Sequence, residues 1–267
     1  MLVYHPQAPY QGIPAENVFF ASDERGNDCG VGFAMLLYQP HIFQERPVNI
    51  YFQIDAQPDA RHMLLGALLA RAAGMRAQFP GQKARVYTSV DIKDAVMIDF
   101  CRHNGLKMND AEDLVELSSP ERPAKLPMSF EFGGVPLGND LEQNAFLMRM
   151  NAYRVASISW GMLAAYGSSQ RFLAMAAYKN GMPTGEILAA GDGQTAFIGG
   201  LYVLPQYRRI GLGRALVNRT LEMMRGAGVM HVNAFVLRRS PAQQRMAAFF
   251  GANALRATAI YPGYDID

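Results

Sequence analysis

Twenty-one residues from Asn49 to Leu69 lie without a gap on Ala196 to Leu216, and this internal repeat restricts the chain to a unit that can be built twice. In each copy an apolar run reads as a strand, a proline follows, and apolar residues then recur at helical spacing. Pro58 falls on Pro205, Arg61 on Arg208, Gly66 on Gly213 and Leu69 on Leu216. One position differs. Leu64 stands where the later copy has Gly211, and so adds bulk where the glycine leaves backbone bare.

Other elements repeat in the same order. In the first half Val18 to Ala21, Val31 to Tyr38 and Asn49 to Ile54 read as strands, Ala60 to Arg76 as a helix and Arg85 to Thr88 as a strand. Lys93 to His103 is a second helix, stopped by Asn104-Gly105, and Asp113 to Leu117 is the last strand. In the second half Arg171 to Tyr178 and Thr184 to Ala190 form a hairpin around Lys179-Asn180-Gly181-Met182, followed by a strand from Ala196 to Val203. Then come a helix over 212–225, a strand from Met230 to Val236, a helix from Pro241 to Phe250 and a strand near Ala257 to Tyr261. Ser118 to Pro127 is polar and proline-rich and reads as a linker, giving domains 1–124 and 125–267. Each is expected to be an α/β unit, one sheet with helices on both faces. Met128 to Phe132 reads as a strand, and Glu142 to Tyr166 as one or two helices.

Half of the 267 residues are apolar, enough for sizeable cores. Cys29 and Cys101 make no disulfide framework, and no Cys/His cluster has zinc-ligand spacing. With no signal-like start and no apolar run of transmembrane length, a soluble cytoplasmic protein without a membrane partner is expected. Residues 1–140 carry 12 Lys/Arg against 17 Asp/Glu, a net −5, and residues 141–267 carry 13 against 6, a net +7. The arginines of the basic half are scattered and not interleaved with aromatics, which argues against a nucleic-acid partner.

The stretch Arg208-Arg209-Ile210-Gly211-Leu212-Gly213 sits between a strand and a helix. The first N–H groups of a helix have no partner within it, so this is a seat for an anion, to which two arginines add positive charge. The dinucleotide fingerprint GxGxxG is absent, so a pyrophosphate other than that of NAD is expected. The alternative is that the two glycines only permit a tight helix start.

This run resembles the acyl-CoA loop of the GCN5-related N-acetyltransferases, the GNAT superfamily, which reads Arg or Gln, any, any, Gly, any, Gly or Ala. Phe197 to Val203 is similar to the family's central strand, Pro205 and Tyr207 to the approach, and Ala215-Leu216 to the helix. The resemblance implies an α/β (α+β) fold of two tandem acyl-CoA N-acyltransferase-like domains. Each would be a mixed, mainly antiparallel sheet flanked by helices, with the first copy degenerate. It also implies acetyl-CoA, or another acyl-CoA, held by Leu201, Tyr202, Val203, Arg208, Arg209, Ile210, Gly211, Leu212, Gly213, Arg214 and Phe250. Leu64, with Asp55 and Asp59 near it, predicts one such cofactor per chain.

Acyl transfer from a thioester to an amine needs a held thioester, a deprotonated amine and a proton donor for the thiolate. Family members commonly use a Glu on or near the central strand and a Tyr in the helix after the next strand. Here that strand offers Gly199 and Gly200, and Phe250 takes the tyrosine's place; in the first half Cys101 does. The remaining candidates are Tyr261 or Tyr264 as acid and His231 or a water chain as base, while Cys101 reads as a core thiol and Glu186 and Asp192 as solvated. Phe146, Met150, Tyr153, Trp160 and Tyr166 either line an acceptor pocket or belong to the core. The resulting expectation is transfer of an acetyl group from acetyl-CoA to a primary amine of a small molecule or peptide; the sequence implies no particular oligomer. Two other readings stand beside it: an acyl-CoA-binding regulatory or interaction module with weakened catalysis, and a structural protein with neither cofactor nor activity.

Overall fold

Short apolar runs separated by polar turns divide the first half into elements that the computed structural model, which describes residues 1–154 and 157–266, places as follows. They are β1 (Leu2–Tyr4), β2 (Val18–Ser22), β3 (Asp28–Tyr38), β4 (Val48–Ala56), α1 (Pro58–Ala77), β5 (Ala84–Tyr87), β6 (Val90–Asp91) and α2 (Ala95–His103). The first half ends with β7 (Ala111–Leu117), and the second half gives β8 (Glu131–Gly134), α3 (Asp140–Asn151), α4 (Trp160–Gly167), β9 (Arg171–Lys179), β10 (Met182–Asp192) and β11 (Thr195–Val203). After them come α5 (Leu212–Gly226), β12 (His231–Leu237), α6 (Pro241–Phe249), β13 (Asn253–Ile260) and β14 (Gly263–Ile266). No described helix is long and apolar enough to cross a membrane.

The chain forms two units, one from Met1 to Ala111 together with the chain end from Ala259, the other from Glu112 to Thr258. The expected division at residue 124 does not follow these units. Strand pairing explains the difference. In one unit β12 takes β7 as its antiparallel neighbour, Val232 opposite Leu117 through Leu237 opposite Glu112. In the other, β5 takes β14, Gly263 opposite Tyr87 through Ile266 opposite Ala84. Each half thus closes its sheet with a strand from the other half of the sequence.

In the first unit the strand order is β1-β2-β3-β4-β5-β14, antiparallel except for the parallel pair β4/β5 joined through α1. Helix α1 buries Ala60, Leu64, Leu65, Leu68, Ala72 and Met75 against that sheet. Helix α2, capped by the Asp94 carboxylate on the Met97 N–H, adds Cys101 to the same core, so both helices lie on one face and not on two as expected. Arg85 and Asp110 form a buried ion pair at 2.7 Å, and the same guanidinium donates to the Tyr261 carbonyl at 2.6 Å.

In the second unit the order is β8-β9-β10-β11-β12-β7-β13, antiparallel from β8 to β11 and between β12 and β7, with one parallel pair, β11/β12, crossed over by α5. One core holds Leu212, Leu216, Val217, Leu221 and Met224 of α5 with Ala247 and Phe250 at α6. A second, on the opposite face, holds Phe146, Leu147 and Met150 of α3, Leu163 of α4 and Tyr202 of β11. The region 142–166 therefore makes two helices, each opened by a side-chain cap, Asn139 on the Glu142 N–H and Ser159 on the Met162 N–H.

Replacing one member of a buried ion pair leaves the other charge uncompensated, at a cost of about 3–5 kcal/mol. Arg85→Ala is therefore expected to lower the unfolding free energy by roughly that amount in urea denaturation. A loss below about 1 kcal/mol would show that water reaches Asp110 once the arginine is gone.

Candidate functional site

The parallel pair β11/β12 holds over four residue pairs, from Thr195 opposite His231 to Ile198 opposite Ala234. Beyond that point β11 stays with β10 as far as Val203 and β12 stays with β7 as far as Leu237, so the two strands part. A bulge marks the break. Leu188 faces Gly200 and Ala189 faces Ile198, which leaves Gly199 as the extra residue. Parted strands expose backbone N–H and C=O groups that an extended ligand can use. Two of these carbonyls already have partners: Arg154 donates to Gly199 O at 2.6 Å and Arg208 to Val203 O at 2.9 Å. By the two-residue period of a strand, Leu201 turns its backbone groups the same way as these two.

Past Val203 the chain makes the loop singled out in the sequence. Arg209 has φ of 67° and Gly211 of 92°, so left-handed residues flank Ile210, and such alternation turns successive N–H groups to one side. Nothing lies within 4 Å of where a Cβ on Gly211 would stand, so the space before the loop is open. Helix α5 has no side-chain cap, and its first bond is Ala215 N–H to Gly211 O. Among the described residues the N–H groups of Ile210 through Arg214 have no acceptor. Free amides at a helix start can donate hydrogen bonds to an anion. Arg208 supports the seat from behind, its guanidinium 5.7 Å from the Tyr153 ring, and Arg214 covers the Phe249 ring at 4.2 Å.

The model of the Acetyltransferase (GNAT) family matches residues 137–252, which span this break and loop. Residues 137–252 are a GNAT-family domain. Among solved structures, a GCN5-related N-acetyltransferase from Sphaerobacter thermophilus aligns at a TM-score of 0.51 and 13% identity, over 96% of this chain and 82% of that one. Eis1 from Mycobacterium abscessus aligns at 0.55 and 13%, over 97% and 72%. At these identities the likeness is one of fold, the acyl-CoA N-acyltransferase-like α+β fold with two mixed sheets flanked by helices. No curated protein matched the chain in sequence.

The GNAT domain does not gather the expected acid and base. His231 begins β12 level with Thr195, eight residues before Val203 on its neighbour and so about 26 Å along the strand from the loop. Its Nδ1 pairs with Glu116 at 2.8 Å, which makes it a structural residue of the far end of the sheet. Tyr261 and Tyr264 belong to the first unit, because β14 completes that sheet; the Tyr264 phenol donates to Asn104 O and the Tyr261 carbonyl accepts from Arg85. Phe250 is wholly buried in the core under α5, and the Tyr202 side chain is buried on the opposite face, leaving only its backbone near the break. Phe146 and Met150 are core, whereas Trp160 is exposed.

Two residues named in the sequence take other roles than those expected of a solvated carboxylate and a pocket wall. Glu186 is fully buried, holds Arg149 at 2.6 Å and accepts from the Tyr202 phenol at 2.7 Å. Burial first, and then the Glu186 charge, push the Tyr202 phenol well above the usual tyrosine range. Its place on the hairpin resembled a solvated one because α3, which brings Arg149, is distant in sequence. The other is Tyr166 on α4, whose phenol oxygen lies 3.1 Å from where a Cβ on Gly199 would stand. Among the described residues that hydroxyl has no hydrogen-bond partner, and any side chain at position 199 would displace it.

A β-branched residue at Gly211 meets backbone strain of about 1–3 kcal/mol and places carbon among the free amides. Gly211→Val is expected to weaken CoA binding about tenfold or more with the circular dichroism of the fold preserved, and Arg208→Ala to weaken it less. Calorimetric titration with CoA decides this, since equal affinity in the glycine variant removes the loop from the binding site.

Proposed function

We propose that the second unit transfers an acyl group from acyl-CoA to an amine, with acetyl-CoA as the donor and a primary amine of a small molecule or peptide as the acceptor. The observation that carries this reading is the run of acceptor-free amides from Ile210 to Arg214 beside a strand pair that parts at Gly199. The family match to the same residues supports it. CoA supplies the acyl group in activated form, as a thioester.

What the chain contributes is positioning and proton handling. The loop amides hold the diphosphate end, and the backbone of Leu201 to Val203 holds the arm that leads to the bulge. Tyr166 places the one phenol that α4 brings to that bulge, and it takes the role of acid left vacant by Phe250. Arg154, on Gly199 O, fixes the strand at the same place. No carboxylate stands on β11, so the amine loses its proton to water or arrives neutral.

Phe250 also favours a second reading, in which the same site binds acyl-CoA and responds to it without turnover. Both readings expect one CoA per chain, because the first copy has no loop. There α1 begins at Pro58, directly after β4, and Leu64 lies on the buried face of the helix.

Turnover of acetyl-CoA with a panel of primary amines separates the two. Tyr166→Phe is expected to lower kcat at least tenfold while leaving CoA affinity within about twofold of the parent. An unchanged kcat would remove Tyr166 from the chemistry, and a titration stoichiometry of two would overturn the single-site assignment.

A further inference from the structure

The first unit repeats the strand break without the phosphate seat. Its parallel pair also holds over four residue pairs, ending at Tyr51 opposite Tyr87. The next residue of β4, Phe52, occupies the repeat position of Gly199. Arg61 donates from Nε to Ala56 O as Arg208 does to Val203 O, although Arg61 lies within α1 and Arg208 before α5. At this break lies a cleft of about 270 Å³, the bulk volume of roughly nine waters, walled by β4, by Thr88 to Asp91 and by α2.

The chemistry of its wall is one-sided. Asp91 and Asp94 line it, and no lysine, arginine or histidine does. Asp91 accepts from the Lys93 N–H and Asp94 from the Met97 N–H through one oxygen each; their other oxygens have no partner among the described residues. Lys93 itself is exposed and lies outside the wall. Thr88 lines the same cleft at 5% exposure, and its hydroxyl has no hydrogen-bond partner among the described residues. The floor is apolar, with Phe52, Met97 and Phe100. Such a wall repels phosphates and carboxylates and attracts a cation with several N–H donors and a short hydrocarbon body.

We propose that this cleft binds a small primary amine in its ammonium form, its N–H groups on Asp91, Asp94 and Thr88 and its chain over Phe52, Met97 and Phe100. The site lies within the first unit and does not depend on acyl-CoA chemistry in the second. Cys101 reports on it. The thiol lines the cleft, and burial, with the Asp94 charge second, pushes it up to about 11, so it is mostly a protonated thiol at pH 9 and alkylates slowly.

The test uses the full chain without CoA. Butylammonium and butyrate, equal in carbon skeleton and opposite in charge, are compared by saturation-transfer NMR and by their effect on iodoacetamide labelling of Cys101 at pH 9, read by peptide mass mapping against Cys29. Butylammonium is expected to bind and to slow labelling at least threefold, and butyrate to do neither. Asp91→Asn with Asp94→Asn retains both backbone-accepting oxygens but removes the charge, and is expected to lower amine affinity at least tenfold; Thr88→Val, smaller in effect, serves if that double variant does not fold. Equal binding of the two probes, labelling unaffected by the amine, or undiminished affinity in the charge-neutral variants would overturn the proposal. None of these results bears on turnover in the second unit.

Discussion

The structure of both units depends on a parallel strand pair that ends early. A parallel pair requires a crossover, which α1 and α5 supply, and each helix buries one apolar face against the sheet it bridges. Because the pairing stops after four residues, each central strand keeps a free edge over its remaining length. In water such an edge is unremarkable, but enclosed between helices it must be matched by side chains or by a ligand. In the second unit Arg154 and Arg208 meet two of the carbonyls, and the remainder of the edge defines where an extended molecule can lie.

The two copies part company within a few residues. In the second, left-handed residues at 209 and 211 delay the helix until Leu212 and leave its first amides bare. In the first, the helix starts at Pro58, a residue that has no N–H to leave unsatisfied and whose fixed φ suits a first turn. Leu64 then becomes a core residue. At this repeat position leucine gives α1 a buried apolar contact, where glycine in the other copy leaves the backbone bare.

Much of this was legible in the sequence. The repeat, the alternation of strands and the strand–loop–helix run around Gly211 rest on local patterns of two, three or four residues, and most elements lie where those patterns end. Strand exchange between the halves was not legible, because β7 and β14 carry the same alternation whichever sheet they join. The site residues divide in the same way. Gly211 and its neighbours are contiguous, so their open loop was legible, whereas the Glu186–Arg149–Tyr202 cluster and Tyr166 at Gly199 unite residues tens of positions apart. Tyr261, Tyr264 and His231 were chosen for their chemistry, and pairing with Arg85, Asn104 and Glu116 places them in structural roles.

The pairing of β14 with β5 bears on the order in which a ribosome delivers the two units. Residues 1–111 emerge before β14, and β5 remains an edge until residues 263–266 arrive to cover it. The second unit faces no such delay, since its borrowed strand β7 is made before the rest of it. Completion therefore runs against the order of synthesis. The unit with the acceptor-free loop closes first, and the unit that precedes it in the chain stays open until residues 263–266 have been made.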